Sequence, residues 1–403
     1  MKEFFKAEQI SAHVWWVGAI DWNVRNFHGY QTGRGTTYNA FLIIDEKITL
    51  IDTVKAPFVP EMLARIASVI EPKRIDYIIS NHSEPDHSGG LPGAAAAIKP
   101  DKIFASTIGA KTLGAYYPGL PEVTPLANGS TLELGAGKLT VLDTKMLHWP
   151  DSMVSYYDVD KVLFSQDAFG MHLATSRLWA DECDEYILDC EARKYFANIL
   201  LLQSERVLAL LDSLPGLNLD IAVVTPDHGP LWRKDGIAWI LKLYREAAEQ
   251  KPRARALVAY ATMWGSTRLL ANALADGLRS SGIEVVVTDL AVNDRSAIMT
   301  EAAASGIIAF GAPTMNNQVY PAIADVLNYL RGLRPKNKLA FAFGSYGWSG
   351  EGAKQIAAEF TAMKLEQPFE AVQVKYMPTE EDLRAFHERG AALGAELLKR
   401  VKK

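Results

Sequence analysis

Beyond residue 254 the chain alternates strictly between short apolar runs and stretches of helical periodicity, and this alternation restricts its folding more than any other feature. The runs are Leu257-Val258-Ala259-Tyr260, Glu284-Val285-Val286-Val287, Gly306-Ile307-Ile308-Ala309-Phe310, Leu339-Ala340-Phe341-Ala342-Phe343 and Ala371-Val372-Gln373-Val374. Helical patterns lie near 268–280, 321–332, 351–364 and 380–401. Parallel strands need crossover connections, and helices on both faces leave the strands apolar throughout. The pattern predicts an α/β domain built on a doubly wound, five-stranded parallel sheet.

Residues 10–230 follow another grammar, with short β-rich runs closed by turn residues and helical stretches between them. Examples are Ala40-Phe41-Leu42-Ile43-Ile44, Ile48-Thr49-Leu50-Ile51, Tyr77-Ile78-Ile79-Ser80, Leu139-Thr140-Val141-Leu142, Lys161-Val162-Leu163-Phe164 and Ile221-Ala222-Val223-Val224. An amphipathic helix near 236–249 leads into Gln250-Lys251-Pro252-Arg253-Ala254-Arg255, a polar segment whose proline breaks a helix. A boundary there divides the 403 residues into domains 1–250 and 254–403, each long enough to bury a core.

With 49% hydrophobic and 22% charged residues the chain is globular rather than disordered. Forty-two Lys and Arg against 47 Asp and Glu leave a net charge of -5, so no overall positive field exists to hold nucleic acid or an anionic membrane. Small molecules or proteins are the expected partners. The start, Met1-Lys2-Glu3-Phe4-Phe5-Lys6-Ala7-Glu8, carries acid where a signal peptide needs an apolar core, and no stretch reaches the about 18 apolar residues of a membrane span. A cytoplasmic protein is expected. Cys183 and Cys190 fit neither a zinc ribbon nor a Cys-x-x-Cys redox pair, and read as free structural thiols.

The sharpest chemical signal is Asn81-His82-Ser83-Glu84-Pro85-Asp86-His87-Ser88-Gly89-Gly90, which follows the run ending at Ser80. Pro85 rules out a helix interior across this segment, so the four potential ligands sit on a strand-end loop. His148, Asp167 and His228 also lie a few residues past apolar runs, so seven metal-competent side chains can gather along one sheet edge. Four imidazoles suit several first-row metals, whereas three added carboxylates harden the site toward iron. His13 and His387 stand alone and read as surface or structural residues; His172, five residues past Asp167, matches no motif and reads as structural.

These residues and spacings resemble the metallo-β-lactamase superfamily, whose zinc hydrolases usually read His-x-His-x-Asp-His in the first motif; here Glu84 replaces the second His. The region is similar to the diiron domain of flavodiiron proteins, also called rubredoxin:oxygen oxidoreductases. That resemblance implies an αββα sandwich with His82, Glu84 and His148 on one iron, Asp86, His87 and His228 on the other, and Asp167 bridging. Asp52 sits where the superfamily commonly keeps an acid that orients a ligating imidazole. His28, in Phe27-His28-Gly29-Tyr30, and Tyr195, in Lys194-Tyr195-Phe196-Ala197-Asn198, resemble family residues near the irons; donation of a proton or hydrogen bond to bound oxygen species is one role for them, plain packing the other.

In the C-terminal domain, Thr262-Met263-Trp264-Gly265-Ser266-Thr267 joins the first run to a helix, a place where hydroxyls and backbone N–H groups can cradle a phosphate without a lysine. Gly311-Ala312-Pro313-Thr314-Met315-Asn316-Asn317 and Gly344-Ser345-Tyr346-Gly347-Trp348-Ser349-Gly350 follow the third and fourth runs. Open α/β sheets bind ligands where such loops converge, and in the flavodoxin strand order 2-1-3-4-5 that crevice holds FMN. The span 254–403 resembles flavodoxin, which implies FMN contacts from Thr262–Thr267, Pro313–Asn317, Ser345–Trp348 and Gly350, with Trp348 or Tyr346 stacked on the isoalloxazine.

A diiron domain followed by a flavodoxin domain resembles a flavodiiron protein over essentially the whole chain. The family implies reduction of O2 to water, of NO to N2O, or both, with two irons and FMN in a head-to-tail homodimer or a tetramer of dimers. A fused rubredoxin needs four cysteines, so a separate rubredoxin is the expected donor, with a flavin reductase or the deazaflavin F420 as alternatives. Two other readings stand beside this one: a zinc hydrolase fused to a flavodoxin, and an electron carrier whose N-terminal domain is a scaffold.

Overall fold

The computed structural model describes residues 4–401, so the first three residues of the start segment considered above lie outside it. Contacts divide the chain into two units, one of residues 1–27, 32–195 and 205–245, the other of 28–31, 196–204 and 246–403. Among the described residues, no helix is long and apolar enough to cross a membrane.

The first unit is built on two sheets. One has seven strands in the order Glu8–Gln9, Val14–Trp16, Phe41–Ile43, Thr49–Ile51, Tyr77–Ser80, Lys102–Ser106 and Val123–Leu126. The other has six, from Thr131–Glu133 through Lys138–Asp143, Met153–Tyr157, Val162–Gln166 and Val223–Pro226 to Trp232–Arg233. Inward-facing side chains of both, including Phe41, Ile51, Ile79, Val141, Tyr157 and Phe164, form one buried cluster, as two apolar sheet faces must. On the outer face of the first sheet, Leu42, Leu50 and Ile78 pack on Met62, Ile66, Leu91, Ile98 and Leu113 from helices Val59–Ala67, Leu91–Ile98 and Thr107–Tyr116. Outside the second, Trp239 stacks on Trp232 at 5.5 Å and Tyr244 packs at a tilt against Phe169 at 4.9 Å, which completes the αββα arrangement.

Strand direction decides where the loops emerge. Thr49–Ile51, Tyr77–Ser80 and Lys102–Ser106 are parallel. In the second sheet Val162–Gln166 is parallel to Val223–Pro226, and both Lys138–Asp143 and Val162–Gln166 are antiparallel to the strand Met153–Tyr157 between them. Lys138–Asp143, Val162–Gln166 and Val223–Pro226 therefore all end at one edge, and His148, Asp167 and His228 follow those ends.

The second unit carries a parallel sheet in the order Glu284–Asp289, Arg255–Tyr260, Ile307–Met315, Leu339–Tyr346 and Val372–Lys375, which is 2-1-3-4-5. A two-residue strand, Gln318–Val319, folds back on Ile307–Met315. One crossover helix, Arg295–Ala304, escaped the periodicity reading because its buried face is only Ser296, Ile298, Met299 and Ala302 in an alanine-rich stretch. Asp294 caps it, its Oδ1 accepting from the N–H groups of Ser296 and Ala297. Two segments from earlier in the chain join this unit: Gln31 N–H donates to Ser296 Oγ at 3.1 Å, and Asn198 Nδ2 donates to the Ser296 carbonyl at 3.1 Å.

Candidate metal centre and flavin cavity

The seven sequence-marked side chains meet past the strand ends of the first unit in two groups, with Asp86 and His87 carried by the short helix Pro85–Ser88 rather than by a loop, since a proline in a first helical turn leaves the helix intact. His82, Glu84, His148 and Asp167 bring one ligand atom each within 4.8 Å of one another, and so do Asp86, His87 and His228. Asp167 faces both. Its Oδ2 stands 3.0 Å from His148 Nε2 and 3.4 Å from His82 Nε2, while its Oδ1 stands 3.1 Å from His87 Nε2 and 3.4 Å from His228 Nε2. Glu84 Oε2 lies 3.1 Å from His148 Nε2, and Asp86 Oδ2 lies 3.1 Å from His228 Nε2. All are buried except His148, which is partly open.

Within the set His82 Nε2 and Glu84 Oε2 are in hydrogen-bond reach at 3.3 Å, while both Asp86 oxygens, Asp167 Oδ1 and His87 Nε2 are buried and make no hydrogen bond. Buried polar atoms otherwise find partners, so the set has the donor chemistry of a cation site. Burial works against a charged His82, but Asp151, Glu84 and Asp167 outweigh it and raise its pKa to about 10. His148 is raised to about 8 against its own burial by Asp167 and Glu84. Burial would raise the Asp167 carboxyl, yet the surrounding His87, His148 and His82 hold it well below the usual range.

A surrounding layer lies against the imidazoles. His228 Nδ1–H donates to the Thr37 carbonyl at 2.6 Å, which leaves Nε2 for the cluster. Asn39 Nδ2 donates to the carbonyls of Pro226 and Gly229, bracketing the same loop. Asp151 Oδ2 lies 3.5 Å from His82 Nδ1 and accepts from Ser83 N–H at 2.7 Å; Asp227 Oδ2 lies 3.3 Å from His87 Nδ1. The imidazole-facing acids are thus Asp151 and Asp227, and this corrects the expectation for Asp52. That carboxylate instead accepts from Asn81 N–H and Nδ2 at 2.7 and 2.8 Å, pinning the start of the loop, and burial raises it to about 6. The only signal for the two acids was proximity, Asp151 three residues after His148 and Asp227 beside His228. Asp52, Gln166 and Phe169 hold positive φ at these loops, a strain that clusters at functional sites.

His172, read as a lone structural residue, is buried in the same pocket. Its ring lies 4.6 Å from that of His228 and 5.2 Å from that of Tyr195, and Nδ1 is 2.9 Å from Thr36 Oγ1. Burial, then His228, pushes its pKa well down, so it is neutral. Burial likewise drives the Tyr195 phenol well up, so it keeps its proton. His28 is exposed, has φ 54, and belongs to the second unit rather than to the metal-competent groups. Cys183 and Cys190 are free thiols.

In the second unit a cavity of about 420 Å3 opens at the carboxyl ends of the strands. Of the anticipated residues, Thr262, Met263, Trp264, Ser266, Pro313, Thr314, Asn316, Asn317, Ser345, Tyr346, Gly347 and Trp348 line it. Gly265, Thr267, Met315 and Gly350 do not. Gly265 turns the chain at φ +92 into helix Ser266–Ser280, which no side chain caps, so its first N–H groups suit an anion. Thr267 is buried, its Oγ1 2.9 Å from Ser345 Oγ. Met315 pairs with Gln318, and the Gly350 carbonyl accepts from Gln373 Nε2. Tyr376 lines the cavity without having been anticipated.

Known families match segments of both units. The family described as ODP family beta lactamase matches residues 36–229, and Flavodoxin matches residues 258–388. The chain is similar to the rubredoxin-oxygen oxidoreductase of Megalodesulfovibrio gigas, 43% identical over 91% of this chain and 92% of that one. It is 39% identical to a nitric oxide reductase of Moorella thermoacetica over 96% and 98% of the two chains. The solved structure of rubredoxin oxygen:oxidoreductase from Desulfovibrio gigas superposes with a TM-score of 0.97 at 40% identity, covering 99% of this chain and 100% of that one.

Proposed function

Since the chain belongs to the flavodiiron, or rubredoxin:oxygen oxidoreductase, family, we propose that it reduces O2 to water, NO to N2O, or both, at a non-haem diiron centre fed through FMN. In this reading residues 1–250 hold the iron pair and 254–403 the flavin. His82, Glu84 and His148 bind one iron, Asp86, His87 and His228 the other, and Asp167 spans both. The division of Asp167, one oxygen toward each imidazole pair, carries the reading.

When bound, irons and flavin supply the electrons that the gas takes up. The polypeptide's own part is to fix the ligands and to manage protons. The Thr37 carbonyl, Asp151 and Asp227 orient His228, His82 and His87. Tyr195, its phenol kept protonated by burial beside neutral His172, offers a hydrogen bond or proton toward the site. Thr262–Thr267 would hold the flavin phosphate, and Trp348 or Tyr346 would offer its ring a stacking surface.

A separate rubredoxin is the proposed donor, in the cytoplasm, with a flavin reductase or reduced F420 as alternatives. The proposed assembly is a head-to-tail homodimer, or a tetramer of dimers, in which each flavin serves the partner's irons. Purified protein is expected to hold about two irons and one FMN per chain, and with a reduced donor to consume O2 or NO. Zinc in protein grown with ample iron, together with hydrolytic turnover and no gas consumption, would overturn the proposal.

A further inference from the structure

We infer that Tyr376, which no motif marks, contacts the flavin and forms a further aromatic wall of the cavity in the second unit; this rests on the flavin reading above. Tyr376 lines that cavity with Trp264, Tyr346 and Trp348. Its φ is 59°, in the left-handed region that a residue with a Cβ adopts reluctantly and that glycine or asparagine adopts readily. Packing does not compel a large ring there, because the residue is 63% exposed. An aromatic side chain kept at a strained, solvent-facing backbone position is the kind of outlier from which a functional role is argued.

The surrounding bonds aim it. Tyr376 N–H donates to the Tyr346 carbonyl at 2.7 Å, and Gln373 Nε2 donates to the Gly350 carbonyl, so the strand Val372–Lys375 and its exit hold both ends of the loop that carries Trp348. Gly347 lets the ring lie close: a Cβ there would be 3.4 Å from Tyr376 Cε1. A flat, largely apolar ring system is the ligand chemistry such a wall serves, through stacking or edge contact.

The test is FMN titration of the flavin-stripped full-length protein, read by quenching of flavin fluorescence, with the thermal midpoint measured alongside. Tyr376→Gly relieves the positive φ and should unfold no earlier than wild type, yet its dissociation constant for FMN should rise about tenfold, whereas Tyr376→Phe should stay within about twofold. Tyr376→Asn, equally at ease with the backbone, replaces the glycine variant if that unfolds early. Equal affinity of wild type and the ringless variants overturns the inference, as does equal weakening by Tyr376→Phe, which would assign the effect to the hydroxyl. Failure of wild-type protein to take up FMN overturns the flavin reading itself and this inference with it.

Discussion

Replacing Gly277 by alanine sets two effects of opposite sign against each other. Gly277 lies inside helix Ser266–Ser280, where alanine is favoured over glycine by about 1 kcal/mol. A Cβ at this position, however, would stand 1.9 Å from the His387 carbonyl oxygen and 3.0 Å from Ala391 N, both backbone atoms of helix Glu380–Val401. Ordinary contact begins near 3.4 Å, so the helices must part by 3.4 − 1.9 = 1.5 Å, and no flexible side chain can yield in their place. Leu274, Leu278, Leu393 and Leu397 are fully buried between them and would lose their fit. Overpacking of this kind costs about 1–3 kcal/mol, occasionally more. With the helix-propensity gain subtracted from the upper part of that range, a net loss of about 2 kcal/mol is expected, which lowers the midpoint of a unit this size by roughly 4–8 °C. Thermal unfolding of the second unit, followed by flavin release, measures it. Gly332→Ala is the control: nothing lies within 4 Å of its Cβ position, so propensity alone acts and the midpoint should rise slightly. A Gly277→Ala protein as stable as wild type, or more so, would refute the close-packing argument.

Asp227→Asn should weaken iron retention about 10- to 100-fold in a chelator titration, because the carboxylate facing His87 Nδ1 at 3.3 Å is lost while the ligands stay. Glu84→His, which restores the imidazole-rich hydrolase pattern, should shift the metal content of protein grown with both ions from iron toward zinc; an unchanged ratio would show that the carboxylate does not select the metal. Tyr195→Phe should lower gas consumption roughly a hundredfold with metal and flavin contents intact, and unchanged turnover removes Tyr195 from the proton path. Lys338 is buried, donates to the Ala303 and Ser305 carbonyls at 2.9 and 2.7 Å, and has its pKa drawn down to about 7 by burial and by Arg253. Its folded pKa lies below the unfolded value, so the unfolded chain binds the extra proton and stability should rise from pH 7 to about pH 10. Denaturant midpoints at pH 6.5 and 9 should show that rise in wild type and a flatter response in Lys338→Met.

Much of this was legible in the residues themselves. A run buried on both faces must be apolar, and a segment past a strand end can carry ligands because its backbone is released from the ladder, so the five parallel strands, the seven metal-competent residues and most of the flavin loops could be read locally, while the strand order came only with the flavodoxin resemblance. The helix Arg295–Ala304 was hidden by weak contrast between its faces. What the linear chain left open were the relations between loops distant in sequence. Asp151 rather than Asp52 meets an imidazole, Thr37 holds His228 across 191 positions, and His172 lies tilted against that same ring. Tyr376 joins the flavin cavity only because the fifth strand lies beside the fourth. Hydrophobic periodicity records which face of an element is buried; which polar atom meets which is set by strand register and loop geometry, and those exist only once the sheets have paired.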